Sequence, residues 1–366
     1  MELLRLVFPV LTRRASVERN PELRLGVEIS SHRMAHDIRI IWYNSRQLER
    51  RANGRNEARM TQWGGRDHPL LNDNATGSLV VFAFEQPFSG SDATGCEVWI
   101  AGSPDEEDLI TSIAGPVEPG QGTLFVPAHR LPRADRPYRK SPCSLDPVEL
   151  REEWRIELPS GVDVLEMALH RLPEARKLRM DVRLMKRRAC EYELFRSIED
   201  HVVLPRVREG FDDVEHFVAF AHSVTNRRKA RAGRSLELHA RAIFNEEEVS
   251  YSWTPQTEAK RTPDFIFPSI EHYRDLHWPA AKLRLLAAKT TCKDRWRQIL
   301  NEAARIPIKH LLTLQEGVAE GQFAEMKEEG VQLVVPSALQ KSYPESVQKE
   351  LISFEQFVSE AKSLAS

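Results

Sequence analysis

The chain has 366 residues, of which 41% are hydrophobic and 29% are charged; 52 Lys plus Arg stand against 54 Asp plus Glu, for a formal net charge of −2. This near balance excludes a wholly basic DNA-coating protein, so any site for a polyanion must be a local patch. The length predicts about two domains, at roughly 150 residues each, and no apolar run approaches the roughly 18 residues that would span a bilayer.

The first third of the chain has the periodicity of β-strands. Apolar and polar residues alternate over 23–29 and 38–42, and the apolar runs 79–84 and 123–126 add two short strands. A helix is predicted to start at Ser103, because Pro104 suits a first helical turn and the acidic residues after it favour the positive end of the helix dipole. These patterns predict a small, mostly β first domain, either a barrel or a sandwich.

A proline-rich stretch divides the chain. Prolines stand at positions 127, 132, 137, 142 and 147, with basic residues between them, which is typical of an extended and fairly stiff linker. We therefore assign 1–126 to a first domain, 127–148 to the linker and 149–366 to a second domain.

Downstream of the linker, helical patterns precede alternating strands and helices. A helical face runs from Leu236 to Phe244, and strands are predicted at 265–267, 283–288, 310–314 and 331–335. A helix is predicted from about 292 to 305. This order indicates an α/β domain with a central sheet.

The four cysteines are widely spaced and form no CxxC pair. Their spacing predicts reduced thiols in a cytosolic protein, and no structural zinc site. They stand at Cys96, Cys143, Cys190 and Cys292.

Three charged residues of the second domain follow the order that metal-assisted phosphodiester hydrolysis needs. Asp264 closes a turn before a strand, Lys289 ends the next apolar strand, and Glu302 follows on the predicted helix. Carboxylates can hold magnesium, which acidifies a water, while the lysine orients that water and offsets phosphate charge. A purely structural interpretation is also open, in which Lys289 extends from a buried strand to water and Asp264 only makes a turn.

The residues after Lys289 are unusual for the start of a helix. Lys293, Asp294 and Arg295 fall in the predicted first turn, where positive side chains oppose the helix dipole. Such a helix tip suits base edges in a major groove, where Arg pairs with guanine and an acid accepts from cytosine N4. Asp294 can also form a capping box with Thr291, and that role is compatible with base reading.

Two basic clusters lie elsewhere, and either can be a solvated charged face. The one in the first domain lies beside Trp42, Tyr43 and Trp63 and a Gly-Gly turn, which favours contact with phosphates. The clusters comprise Arg46, Arg50, Arg51, Arg55 and Arg59 in the first domain, and Arg227, Arg228, Lys229, Arg231 and Arg234 in the second.

Several long strings resemble the EcoRII family of Type II (Type IIE) restriction endonucleases. They are AKTTCKDRWRQILNEA, LLTLQEGV, RKARAGRSLELH, and YNSR followed by RNEARMTQWGG, in the family's order and in both domains. The resemblance implies an α+β two-domain protein. Its N-terminal domain would be a mostly-β, B3-like pseudobarrel and its C-terminal domain an α/β PD-(D/E)xK restriction-endonuclease fold.

The resemblance also implies an activity. Family members are homodimeric, Mg²⁺-dependent enzymes that cut double-stranded CCWGG before the first cytosine, beside a cognate DNA methyltransferase in a prokaryotic cytoplasm. Their N-terminal domain binds a second copy of the site as effector, and it otherwise folds back over the nuclease cleft as an autoinhibitor.

By motif match the resemblance implies three sets of site residues. The catalytic set is Glu237, Asp264, Lys289 and Glu302, of which Asp264, Glu302 and Glu237 would bind the metal. The base-recognition set is Lys293, Asp294 and Arg295. The effector DNA-binding set is Arg39, Arg46, Glu57 and Arg59.

Two features depart from the family pattern, and both concern the effector domain. Met1 stands almost within the predicted barrel, where the family has more chain, and Ala58 occupies a position where the family offers a basic residue. We therefore expect weaker effector binding and only modest stimulation by effector DNA.

Two alternative functions retain parts of this interpretation. In a DNA-binding regulator the nuclease fold would serve only as a scaffold, which has no need for charged residues at a strand end. An RNA or repair nuclease would share the chemistry, but the charged helix tip favours sequence-specific duplex DNA.

Overall fold

The computed structural model describes residues 2–48, 53–65, 68–114, 117, 141–156, 158–293 and 295–364. It divides the chain into two compact units, Met1–Glu107 and Asp108–Ser366. The predicted strand at 123–126 and the linker up to residue 140 lie outside the described residues, so the predicted domain limits stay a prediction. In the described ranges, no helix is both long and apolar enough to cross a membrane.

A five-stranded sheet forms the first unit, in the spatial order β3-β2-β1-β5-β4. Neighbouring strands are antiparallel except for the parallel pair β1 and β5. The β-rich first domain is thereby confirmed, while the B3-like pseudobarrel stays a prediction. The strands are β1 (Glu22–Ile29), β2 (Met34–Tyr43), β3 (Glu57–Thr61), β4 (Val80–Glu85) and β5 (Gly95–Ile100).

The period-two pattern determines which face of this sheet is buried. Leu25 and Val27 of β1 are buried together with Ile38 and Ile40 of β2, because alternate side chains of a strand point to the same face. Phe8, beside the second N-terminal helix, joins this core. The helices that begin in this part of the chain are α1 (Glu2–Val7), α2 (Pro9–Arg14), α3 (Ser45–Leu48) and α4 (Pro104–Ala114).

The predicted start of α4 is confirmed. The Ser103 hydroxyl accepts the backbone N–H of Glu106 at 3.3 Å, and the Glu106 carboxylate accepts the backbone N–H of Gly102 at 2.8 Å. These bonds satisfy donors at the helix N-terminus that have no partner within the helix.

The second unit contains a mixed sheet in the spatial order β10-β9-β8-β7-β6. Strands β8, β9 and β10 run parallel, whereas β6, β7 and β8 are antiparallel neighbours. The four strands predicted in this domain are confirmed as β7 to β10. The strands are β6 (Ser252–Trp253), β7 (Phe265–Phe267), β8 (Arg284–Ala288), β9 (Lys309–Leu312) and β10 (Val331–Val334).

Helices surround this sheet, and two of them are long. The 30-residue α7 and the 33-residue α8 pack against each other, and the C-terminal part of α8 buries the predicted helical face, including Leu236, Ala240 and Phe244. The helices of this unit are α5 (Glu152–Ile156), α6 (Gly161–Arg171), α7 (Met180–Glu209), α8 (Val214–Glu246), α9 (Ile270–Arg274), α10 (Trp296–Ile299), α11 (Glu320–Glu328), α12 (Glu345–Gln348) and α13 (Phe354–Ser363).

The helix predicted from about 292 to 305 is wrong. Among the residues of that range that the structure describes, only the four of α10 are helical. Upstream, the chain at Thr290–Lys293 is bonded to the segment after β9; downstream, Ala303 has a φ of +50°. A positive φ of this kind is incompatible with a right-handed helix, so the predicted helix cannot run through Ala303.

The prediction of four reduced thiols is also wrong. Cys143 and Cys190 form a disulfide across a sequence separation of 47 residues, whereas Cys96 and Cys292 are free and buried. Cys190 lies on α7, and both partners belong to one buried apolar cluster with Leu145 and Leu194. Folding brings the two thiols together, which their spacing in sequence does not reveal.

Candidate active site

Asp264 and Lys289 meet at one edge of the second sheet. Because β7 and β8 are antiparallel, the residue before β7 lies beside the residue that follows β8. Oδ2 of Asp264 accepts the backbone N–H of Ala288 at 2.8 Å and the Lys289 ammonium at 3.2 Å. The Asp264 side chain is 16% exposed and that of Lys289 is 28% exposed, so this ion pair is reachable from solvent.

Glu237 approaches this pair from helix α8. Oε1 of Glu237 accepts a hydrogen bond from the indole N–H of Trp253 on β6. Burial raises the pKa of Glu237, and the Asp264 charge raises it further, while the Trp253 hydrogen bond opposes both. The Arg241 guanidinium lies 3.8 Å from the centre of the Trp253 ring, a cation–π contact that helps to orient the indole. Sequence reasoning missed Trp253, which no motif marked.

Glu302 lies in the turn after α10. The prediction that a long helix carries this residue is wrong. Its Oε2 is buried and has no hydrogen-bond partner in the described part of the chain. Burial raises the pKa of Glu302, the Asp264 charge adds to this effect, and Lys289 opposes it. The ammonium of Lys309 holds the turn through the carbonyls of Ala303, at 2.9 Å, and Ile306.

These carboxylates have the ligand chemistry that a divalent cation needs. Among the described residues, no three His, Cys, Asp or Glu side chains are grouped closely enough to hold a metal ion as they stand. The Asp264 charge nevertheless raises the pKa of both Glu237 and Glu302, which places the three carboxylates in one electrostatic neighbourhood. A divalent cation would relieve this repulsion, and the unpartnered oxygen of Glu302 is the hard ligand such ions prefer.

Lys293 and Arg295, two of the three predicted base-recognition residues, lie in turns and not in a helix. Lys293 is only 9% exposed, and its backbone N–H donates to Oε1 of Gln315 at 3.2 Å. Arg295 directly precedes α10 and forms an ion pair with Asp108. Asp294 lies outside the described residues. The arginine that would read guanine is therefore paired with a carboxylate in this structure.

Two of the basic residues of α8 have structural roles. Arg228 makes two hydrogen bonds to Glu199 of α7, at 2.6 and 2.7 Å, and Arg231 pairs with buried Glu191 at 2.9 Å. Burial raises the pKa of Glu191, but the hydrogen bonds from Arg231 and Ser235 and the nearby His239 imidazole outweigh it and lower the pKa to about 2. Arg234, by contrast, is exposed and lies 5.8 Å from the Trp253 ring.

The predicted effector residues lie on the first unit, three of them on one face of its sheet. Strand register places Arg39 of β2 opposite Thr61 of β3, two residues from Arg59, so Arg39 and Arg59 share a face of the sheet. Arg59 pairs with Glu57 at 2.8 Å, and Arg39 donates to Glu22 at 2.7 Å. Arg46 lies on α3, while Arg50 and Arg51 lie outside the described residues.

A further arginine that sequence reasoning missed belongs to the same face. Arg24 of β1 is exposed and stands directly opposite Arg39. Like charges directly opposite each other destabilise a sheet, so this pair favours the approach of an anion. The signal was present in the alternating pattern of 23–29, in which Arg24 occupies an outward position.

Comparison with known proteins gives matches along nearly the whole chain. A family model described as restriction endonuclease EcoRII, N-terminal, matches residues 1–129, and one described as EcoRII C terminal matches residues 195–358. The Type II restriction enzyme EcoRII of Escherichia coli is 41% identical over 349 residues, which cover 95% of this chain and 84% of that protein.

Solved structures are similar at a lower level. One is metal-depleted Ecl18kI in complex with uncleaved, modified DNA, with a TM-score of 0.48 and 15% identity, covering 58% of this chain and 80% of that chain. Another is a complex of restriction endonuclease PspGI with substrate DNA, also with a TM-score of 0.48 and 15% identity, covering 60% of this chain and 97% of that chain.

Proposed function

The chain belongs to the EcoRII family of Type II restriction endonucleases, and we propose that it cleaves double-stranded DNA at a CCWGG-like site in a Mg²⁺-dependent reaction. The observation that carries this proposal is the ion pair of Asp264 and Lys289 at a solvent-reachable sheet edge. Buried Glu237 and Glu302 share its electrostatic neighbourhood. A scaffold without catalysis has no need for this costly arrangement of charges.

Each member of the catalytic set has a chemical task in this proposal. Asp264, Glu302 and Glu237 would hold Mg²⁺, which when bound lowers the pKa of a water and offsets charge on the phosphate. Lys289 donates a hydrogen bond and positive charge toward the scissile phosphate and orients the attacking water. Trp253 keeps the Glu237 carboxylate in place.

Sequence preference is assigned to the loop that follows Lys289. Lys293, Asp294 and Arg295 would read the CC:GG base pairs, with arginine donating to guanine and the carboxylate accepting from cytosine. Arg295 must exchange its partner Asp108 for a base in order to do so.

We assign the dimer interface to the tip of the α7–α8 hairpin. Val207 of α7 and Val214 and Phe217 of α8 are 48%, 69% and 50% exposed, and Phe211 packs edge-on against Phe217. An exposed apolar cluster of this kind is typical of a protein interface. A two-fold dimer presents one active site to each strand of a palindromic site.

The first unit is assigned a regulatory role. Its outward face with Arg39, Glu57 and Arg59, together with Arg46 of α3, would bind a second DNA site as effector. In the absence of effector DNA this unit would restrain cleavage. Effector DNA would shift the protein from the restrained to the released state to the extent that it binds the released state more tightly. A cytoplasmic location in a prokaryote and a companion DNA methyltransferase complete the proposal.

A digest of a plasmid of known sequence tests the function directly. With Mg²⁺ we expect discrete fragments whose sequenced ends share one short site, and no cleavage in EDTA. Lys289→Ala should lower the cleavage rate by about 10²-fold or more and retain specific binding in Ca²⁺. The matched control is Lys327→Ala, which removes an exposed lysine of α11. Specific binding by the wild type without any cleavage in Mg²⁺ would favour a DNA-binding regulator.

A further inference from the structure

Gln315 lies after β9, and its buried side chain contacts the segment 290–293, which leads to the proposed base-reading residues. Gln315 is 4% exposed and follows β9. Its Oε1 accepts the backbone N–H of Cys292 at 2.8 Å and that of Lys293 at 3.2 Å. One side-chain oxygen therefore serves two consecutive backbone donors of the neighbouring loop.

Without this oxygen the two donors would be buried in a segment that has no regular structure. Cys292 and Lys293 lie between the end of β8 and the start of α10, so neither a strand ladder nor a helix supplies their acceptors. A buried N–H group that loses its partner carries the full cost of its desolvation. The conformation of this segment consequently depends on Gln315.

The bonds of Gln315 extend a pairing that begins in the sheet. Beyond the last paired residues of β8 and β9, the Leu314 backbone N–H donates to the Thr290 carbonyl at 3.2 Å, and the Thr313 hydroxyl donates to the same carbonyl at 3.1 Å. The segments 290–293 and 313–315 are thus joined by successive hydrogen bonds from the sheet toward the proposed base-reading residues.

We propose that Gln315 is a positioning residue for sequence recognition, which fixes the backbone directly ahead of Asp294 and Arg295. This proposal rests on the proposed function, in which those two side chains read bases. A bidentate contact needs its side chain held within a few tenths of an ångström, so a loosened backbone lowers discrimination between sites more than it lowers overall DNA binding.

Glutamine is suited to this position because it both accepts and donates. While Oε1 faces the loop, Nε2 donates to the Gly317 carbonyl at 2.8 Å, and the main-chain carbonyl of Gln315 accepts the Tyr343 hydroxyl at 2.7 Å. The bond to Gly317 sets the orientation of the carboxamide, and the bond from Tyr343 holds the main chain that carries it. Glutamate would keep the acceptor and lose the donor, whereas methionine has a similar shape and would lose both.

The experiment compares Gln315→Met and Gln315→Glu with a matched control, Gln332→Met. Gln332 of β10 also donates from its carboxamide to main-chain carbonyls, that of Leu333 at 3.2 Å and that of Glu350 at 2.7 Å, and neither acceptor belongs to the segment 290–293. For each full-length protein, kcat/KM is measured on a cognate duplex and on duplexes with one altered base pair. Hydrogen exchange is measured at the amides of Cys292 and Lys293.

We expect Gln315→Met to lower the ratio of cognate to altered-site cleavage by about tenfold, within the 5- to 150-fold that a base contact supplies. Gln315→Glu should lower it less, and Gln332→Met should leave it unchanged. The two loop amides should exchange faster only in the Gln315 variants. If Gln315→Met does not fold, the ratio for Gln315→Glu decides.

Unchanged discrimination in a folded Gln315 variant, together with normal discrimination by the wild type, would overturn this inference and leave the proposed function standing. Equal losses on cognate and altered duplexes would also overturn it, because they indicate a structural role alone. A wild type that cleaves or binds without any sequence preference would instead refute the proposed function.

Discussion

The indole N–H of Trp253 donates a hydrogen bond to Oε1 of Glu237, so a strand residue holds the helix carboxylate whose pKa burial and the Asp264 charge raise. Loss of this bond in Trp253→Phe should raise the pKa of Glu237 further, because the bond stabilises the ionised form. The acidic limb of the pH–rate profile of cleavage should therefore move to higher pH, with a loss of about tenfold in kcat at neutral pH.

Tyr251→Phe is the matched control for this prediction. Tyr251 lies two residues earlier and donates to Asn245 at 2.6 Å, not to an active-site carboxylate. An unchanged acidic limb in Trp253→Phe, with the same loss of activity as in Tyr251→Phe, would show that Trp253 is only a packing residue.

Glu302→Gln should stabilise the metal-free protein at neutral pH while abolishing cleavage. Burial raises the pKa of Glu302, so the folded state holds this proton more tightly than the unfolded state does. The stability that neutral Glu302 contributes is complete below the pKa that this residue has in the unfolded chain. It is lost as the pH rises through the higher pKa that the residue has in the folded protein. Glutamine removes this loss.

Thermal unfolding in EDTA measures the effect. The variant should exceed the wild type in Tm near neutral pH and match it below about pH 4. Added Mg²⁺ should raise the Tm of the wild type more than that of the variant. An equal gain in Tm for Glu328→Gln, an exposed residue of α11, would contradict a specific role for Glu302.

Asp108→Asn and Arg295→Ala should change cognate binding in opposite directions. Arg295 pairs with Asp108, so loss of that charge makes the guanidinium more available to DNA. Arg295→Ala should cost about 1–3 kcal/mol of cognate binding, or roughly 5- to 150-fold, with little effect on random DNA. Titrations in Ca²⁺ with both duplexes test this. Equal losses on the two duplexes would identify Arg295 as a phosphate contact.

Thiol titration of the denatured, unreduced chain should detect two thiols, and reduction should raise the number to four. Cys143 and Cys190 are paired and separated by 47 residues in sequence, while Cys96 and Cys292 are free. Closing a loop of this size stabilises a fold by about 4 kcal/mol in the chain-entropy model. Cys143→Ser and Cys190→Ser should each lower the free energy of unfolding, and the double variant no further. Four thiols before reduction would refute the disulfide.

Much of the second sheet was predictable because its strands are short apolar runs, one of them preceded by Asp264 and another followed by Lys289. The Phe265–Phe267 strand and the Arg284–Ala288 strand follow directly from this pattern, and with them the positions of Asp264 and Lys289 at element ends. The helix predicted after Lys289 failed for a reason that lies outside its own residues. Local propensity favoured a helix there, but Gln315, more than 20 residues away in sequence, holds the segment before α10, and Lys309, just beyond the predicted helix, holds the turn after it.

By itself, the sequence determined the strand periodicity, the order of strands and helices in the second domain and the acid–lysine–acid spacing, because these depend on neighbouring residues. Tertiary structure alone decided which groups meet. The pairing of Cys143 with Cys190, of Trp253 with Glu237 and of Arg295 with Asp108 joins residues from different elements. The raised pKa of Glu302 likewise arises from burial and the nearby Asp264 charge, which exist only once the chain has folded.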